Sequence, residues 1–315
     1  MYVSSLKENE SDYTPGLERW SLYKTIWIRY WYGFRKVYNE RFQKIYGSLS
    51  QDKIDEVYKL ITCGKFQNGF KKHICPDCGI ILLIPFTCKS RLCLSCVRKK
   101  LYGWSINLSN IMNTSLTHYH VTFTIPGTIA RILFDRKYQP ELMINLAANI
   151  YRNFILSTAG IKGKQMQPGI FATLHKSGNS LNYNPHVHLI GTREVIDLKT
   201  GEIHDFSYIP YAGIRDVWKK GLLKHLKKHK IITEEEEKIF DKKFPTGFHV
   251  HFKPIVGNHN EILFRTSEYI ASGYFHNTQI TEVDYAKRTI TFSYKKWPLF
   301  AIHRTLFGHP VRVRH

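Results

Sequence analysis

Long hydrophobic runs are missing from this sequence. The longest, Ile80 to Phe86, is far short of the ~20 apolar residues that a membrane-crossing helix needs. Met1 to Glu18 is polar, without the apolar centre of a secretion signal. There is no lipidation motif, internal repeat or low-complexity linker. Together these absences exclude a helical membrane protein and a solenoid, and the expectation is a soluble, cytoplasmic protein. Acidic residues are scarce: 25 Asp and Glu face 46 Lys and Arg, for a net charge of +21. Such an imbalance points to a polyanionic partner, most commonly nucleic acid, and would make the protein nucleoid-associated. Cysteine is absent from most of the chain, since all six fall between Cys63 and Cys96. A secreted disulfide scaffold would spread them out, whereas local clustering in a reducing compartment points to metal.

What is present is enough for a folded core. A length of 315 residues suits about two domains, and 43% hydrophobic content supplies a core. Aromatic residues make up 14% of the chain, which argues against disorder. Interleaved with Lys and Arg, such rings suit stacking on unpaired bases, while many must serve as core.

Residues 17 to 46 read as one long helix with a basic side, stopped at Gly47, and Asp52 to Leu60 as a second. Two C-x2-C pairs follow, Cys75/Cys78 and Cys93/Cys96, separated by 14 residues that include a strand at Ile80 to Phe86. This spacing is that of a zinc ribbon, in which four thiolates close a tetrahedral, structural shell. Cys63 and Cys88 are left over, and Cys88 could replace one ligand. An amphipathic helix is expected from Arg98 to about Asn113.

From His118 the texture is α+β. Strands are expected at 118–125, 169–175, around His186 and at 247–255, and helices at about 140–157, 211–229, 233–243 and from Asn260. A hairpin at 280–284 and 288–294 precedes a short basic end. Residues 1–114 would thus be a helical and zinc-ribbon domain, 115–295 a second domain and 296–315 a tail. The densest positive run is Lys219, Lys220, Lys224, Lys227, Lys228 and Lys230, either a solvated face or a partner surface.

Histidine pairs of the form H-x-H occur in three strands, His118/His120, His186/His188 and His249/His251. Alternation along a strand puts both imidazoles of each pair on one face, a rigid arrangement that can hold a divalent metal. A half-buried strand that happens to carry two histidines is the plainer reading, and spacing alone does not choose among the pairs.

Four stretches carry a resemblance that does choose. They are Cys63-Gly64-Lys65-Phe66 through Cys75-Pro76-Asp77-Cys78-Gly79; Phe86-Thr87-Cys88 through Cys93-Leu94-Ser95-Cys96; Leu174-His175-Lys176-Ser177-Gly178 with Asn184-Pro185-His186-Val187-His188; and Tyr269-Ile270-Ala271-Ser272-Gly273-Tyr274-Phe275 with Gln279-Ile280. In this order they resemble the HUH transposases of rolling-circle insertion sequences, of the type with an N-terminal zinc-binding region. The resemblance implies an antiparallel-sheet HUH nuclease domain with a ferredoxin- or RRM-like core. It implies that a tyrosine attacks single-stranded DNA at transposon ends and target, leaving a 5′-phosphotyrosine and a free 3′-hydroxyl. His186 and His188 would hold Mg²⁺ or Mn²⁺, with His175 the candidate third ligand, and a homo-oligomer is possible.

At the nucleophile the sequence departs from its relatives. Two-tyrosine members space the pair i, i+4, about 40° apart on a helix. Here Tyr269 and Tyr274 are i, i+5, about 140° apart, so both face one site only if the helix breaks, for which Ser272-Gly273 is a plausible place. Counting back from Gln279-Ile280 favours Tyr274 as nucleophile, with Tyr269 next. Two rivals stand beside the transposase. One is a rolling-circle replication initiator or relaxase with the same chemistry. The other is a non-catalytic, domesticated zinc-ribbon DNA-binding protein. A histidine-based metallohydrolase lacks a carboxylate motif to complete it.

Overall fold

A computed structural model describes residues 21–293, apart from residues 91, 164, 179–181, 206–212, 272–278 and 288. The chain divides into two compact units, residues 101–272 forming one and the segments on either side of them the other.

In the first unit, α1 (Leu22–Val37) starts at Ser21, whose hydroxyl accepts the Lys24 N–H at 3.1 Å. It runs through a π turn at Tyr38–Phe42 into α2 (Gln43–Tyr46), and Gly47 at φ +78° ends it. The described part of the expected long helix is therefore present, with one wide turn. Aromatic rings follow one another along it from Tyr23 through Trp27, Trp31, Phe34, Tyr38 and Phe42 to Tyr46, with centroids 5.8 to 6.4 Å apart. Next come α3 (Gln51–Thr62) and the hairpin of β1 (Phe70–Ile74) and β2 (Ile81–Pro85). Sequence reading missed β1: it is exposed along its whole length, so it carries no in–out alternation. Helix α4 (Leu94–Ser109) begins earlier than expected, just after Cys93.

The second unit contains β3 (His118–Phe123), α5 (Gly127–Asp135), α6 (Leu142–Thr158), β4 (Met166–Ser177), β5 (Tyr183–Asp197), β6 (Ile203–His204), α7 (Gly213–Lys228), α8 (Glu234–Lys243), β7 (Val250–Ile255) and α9 (His259–Ala271). Helix α8 opens with a capping box, Thr233 and Glu236 each satisfying the other's backbone N–H. Helix α5 was not foreseen. The chain ends its described part in the first unit with the hairpin β8 (Ile280–Asp284) and β9 (Thr289–Phe292), where the Arg29 guanidinium lies 4.6 Å from the Tyr285 ring centroid. The expected tail at 296–315 lies outside the described residues.

The central sheet of the second unit has the order β4-β5-β3-β7, with β6 beside β5, and its pairs are antiparallel. The architecture is thus mixed helix and antiparallel sheet, as expected. Strand alternation divides the sheet cleanly. Val187 and Leu189 of β5, Val121 and Phe123 of β3, and Val250 of β7 point to one face, where they join Tyr151 and Ile155 of α6 and Trp218 and Leu222 of α7 in the main core. Gly191 allows the closest approach: a Cβ there would lie 2.3 Å from the Tyr151 ring, whose hydroxyl donates to the Thr192 carbonyl at 2.9 Å. With that face filled by helices, the intervening residues of each strand are turned to the other.

Candidate functional site

The face opposite the core is lined with histidine. Register sets His175 of β4 directly opposite His186 of β5, and His188 opposite Thr122 of β3, which in turn faces His251 of β7. His120 lies two residues along β3, on the same side as Thr122. His175, His186 and His188 converge, each offering a nitrogen within 4.8 Å of the others. These are the three imidazoles that sequence reading singled out, and the structure brings them together. Neither of the other two H-x-H pairs forms such a cluster among the described residues.

Each of the three rings also has a nitrogen committed elsewhere. His186 Nδ1 lies 2.7 Å from the Asn184 carbonyl, His188 Nδ1 lies 2.7 Å from His120 Nε2, and His175 hydrogen-bonds the backbone carbonyl of Tyr269. Partners of this kind fix ring orientation, as is found around metal-ligating histidines. Burial, reinforced by neighbouring imidazoles, pushes His188 down to about 2 and His175 down to about 4, and burial lowers His186 as well. All three are therefore neutral near pH 7, the form that donates a lone pair to a cation. By donor type and orientation, the residues present fit a divalent ion.

Helix α9 brings Tyr269 onto this face. Its ring stacks on His120 with centroids 3.6 Å apart and planes at 17°, and lies 6.0 Å from His188. Ile262 and Leu263 anchor the helix in a small cluster with Ile190, Ile255, Leu108 and Met112. Tyr274 lies outside the described residues. His120 is the neighbour that sequence reading missed, because its strand looks like an ordinary sheet strand; the signal available was its H-x-H spacing.

The thiols correct the expected zinc set. Cys63, Cys88, Cys93 and Cys96 gather with their sulfurs within 4.8 Å of one another, and three of the separations are 3.5, 3.6 and 3.7 Å. A tetrahedron with ~2.3 Å zinc–sulfur bonds has edges of about 3.8 Å, so the set fits zinc without rearrangement. Cys75 and Cys78 are not in it. The reason is the hairpin: Ile74 pairs with Ile81 at its closed end and Phe70 with Pro85 at its open end. Cys75 and Cys78 occupy the closed end, about 16 Å of strand from the end that leads into Cys88. The two residues sequence reading left over, Cys63 at the end of α3 and Cys88 after β2, complete the group begun by Cys93 and Cys96 at the start of α4. Hydrogen bonding among the four sulfurs lowers the Cys63 and Cys96 thiols and raises those of Cys88 and Cys93.

The positive run on α7 is less free than its sequence implies. Lys219 is buried, reaching Asp241 at 2.7 Å and Asp216 at 3.4 Å, while Lys220 pairs with Asp216 and Lys227 with Glu237. Part of the run is therefore a structural ion-pair network. No helix among the described residues is long and apolar enough to cross a membrane.

Comparisons with known proteins cover the segments that hold both clusters. Residues 33–125, which contain every cysteine, match a family model described as "Transposase zinc-binding domain". Residues 169–300, which contain His175, His186, His188, Tyr269 and Tyr274, match one described as "Putative transposase". The chain is 31% identical over 153 residues to the transposase for insertion sequence element IS801 of Pseudomonas savastanoi, covering 48% of this chain and 36% of that protein. It is 25% identical over 206 residues to the "Putative transposase y4qJ" of Sinorhizobium fredii, covering 62% of this chain and 49% of that one. The matches thus span at most about half the length of these relatives. No solved structure matches the chain. In both its zinc-binding region and the region that follows, the chain is thus similar to insertion-sequence transposases of the IS91 type.

Proposed function

We propose that this protein nicks and rejoins single-stranded DNA through a 5′-phosphotyrosine intermediate, on an HUH-type nuclease fold, during rolling-circle-type transposition. The observation that carries the reading is the three-imidazole cluster with each ring held by an outer partner, beside the Tyr269 ring. His175, His186 and His188 would hold Mg²⁺ or Mn²⁺. A bound cation of this kind polarises a phosphate and offsets the charge that develops on it during attack.

The chain's own residues supply the rest. A phenol oxygen attacks the scissile phosphorus, the P–O3′ bond breaks, and the 3′-hydroxyl leaves with a proton. Because the phosphodiester is exchanged for a phosphotyrosine ester, rejoining needs no nucleotide triphosphate. Tyr269 is supported as the attacking phenol by its closeness to His188, and Tyr274 is the second candidate. Burial raises the Tyr269 pKa above its ordinary value, so the phenol is protonated near pH 7. Cys63, Cys88, Cys93 and Cys96 would hold a structural zinc in the first unit. The excess of basic residues would bind the strand's phosphates.

Incubation of labelled single-stranded DNA carrying element ends with Mn²⁺ tests the reading. A covalent adduct is expected that disappears in Tyr269→Phe or Tyr274→Phe. Tight binding with no adduct in any variant would favour a DNA-binding protein without strand-cutting activity.

A further inference from the structure

We infer that His120 is the positioning residue of this site, fixing which nitrogen of His188 faces a cation and providing the platform on which Tyr269 rests. The inference depends on the cation-binding reading above and concerns a residue outside the three-histidine set.

The argument begins with the imidazole itself. A neutral ring has one N–H and one lone pair, so His188 offers its Nε2 lone pair to a cation only if its proton sits on Nδ1. That Nδ1–H must then donate to His120 Nε2, 2.7 Å away, which places the proton of His120 on its own Nδ1. The two ring planes differ by 11° with centroids 5.0 Å apart, so the rings lie side by side and the bond runs near both planes. Rotation of either ring breaks it. The Thr122 hydroxyl, 3.3 Å from His120 Nε2 and 3.4 Å from His188 Nδ1, closes the group from the same strand.

The other feature of His120 is its face. Tyr269 stacks flat on it at 3.6 Å, closer than any other ring pair described here. His120 thus touches a metal-type ligand through its edge and a candidate nucleophile through its face. It can do both because it sits on β3, between β5 and β7, and is only 6% exposed. His118, two residues away, has the same motif, but its Nδ1 lies 2.9 Å from the Leu116 carbonyl.

Two substitutions separate the two roles. His120→Gln retains an amide oxygen that can accept from His188 but loses the aromatic platform; His120→Phe retains the platform and loses the acceptor. Mn²⁺ affinity, followed by electron paramagnetic resonance, should weaken roughly ten- to a hundredfold in His120→Phe and stay near wild type in His120→Gln. Adduct yield at saturating Mn²⁺ should show the reverse order, with His120→Gln the slower. Equal Mn²⁺ affinity in His120→Phe and wild type would overturn the inference, as would parallel losses in both variants that track a lowered melting temperature. Absence of Mn²⁺ binding in the wild type would instead remove the cation reading on which it rests. Should either variant fail to fold, ¹⁵N spectra of the wild type with Mg²⁺ decide the matter: protons on Nδ1 of both His120 and His188 are expected, and a proton on Nε2 of His188 contradicts the proposal.

Discussion

Four thiols meet in the first unit where the end of α3, the exit of β2 and the start of α4 converge, whereas three imidazoles meet in the second on neighbouring strands of a sheet. Among the described residues, the thiol cluster packs in a small apolar group with Leu60, Tyr23, Trp27 and Leu92. The histidine face has a large apolar core directly beneath it. A closed four-sulfur set assembled from the ends of elements holds those ends together, so metal there contributes to folding itself. Three nitrogens on a framework that is already rigid leave positions for a substrate and ask little of the metal for stability. On the proposed reading, one kind of site would serve to make a structure and the other to use one.

The largest expected effect follows from the first half of this contrast. Cys63→Ser or Cys88→Ser should release zinc and unfold the first unit, since structural zinc in zinc-finger peptides is worth about 10–16 kcal/mol. Cys75→Ser and Cys78→Ser should keep a full equivalent. Zinc content and far-ultraviolet circular dichroism check both, and loss of zinc in the Cys75 or Cys78 variants would favour the ribbon that sequence spacing implies. Second in size, His188→Ala should abolish Mn²⁺ binding and strand cutting while leaving a cooperative melting transition, because its strand keeps Val187 and Leu189 in the core. Collapse of the unit in that variant would erase the distinction between the two clusters.

A third effect is set by pH. His175 is held at about 4 against an ordinary 6.5, and His120 likewise at about 4, both chiefly by burial. Above pH 6.5 neither state binds these protons, so nothing changes. As pH falls below that value the unfolded chain takes up protons that the folded sheet resists, and stability of the metal-free second unit should decline toward pH 4. Thermal melts of chelated protein across this window check the sign. The smallest effect concerns the scaffold: Gly191→Ala pushes a methyl into the Tyr151 ring and should cost about 1–3 kcal/mol, read by urea denaturation, with Mn²⁺ affinity changed less than in His188→Ala.

Much of the second unit was legible because its strands alternate. The period of two that puts Val187 and Leu189 in the core puts His186 and His188 on the other face, and resemblance to a family then picked this pair from three. His120 was not legible, since its role depends on β3 lying between β5 and β7, a pairing between segments far apart in the chain. The zinc set failed for a related reason. Spacing identifies C-x2-C turns, but which thiols converge depends on which end of a hairpin each occupies. Exposed β1 gave no periodicity to reveal that hairpin. Helix α5 opens directly after Pro126 and, at nine residues, is too short for a helical period to stand out in the sequence.

Crystals soaked in Mn²⁺, with diffraction data collected at the manganese absorption edge, would locate the cation itself. A single anomalous peak bounded by His175, His186 and His188, with the Tyr269 ring beside it, is the expected outcome. A peak at His118/His120 or at His249/His251, or no ordered manganese on this face of the sheet, would contradict it.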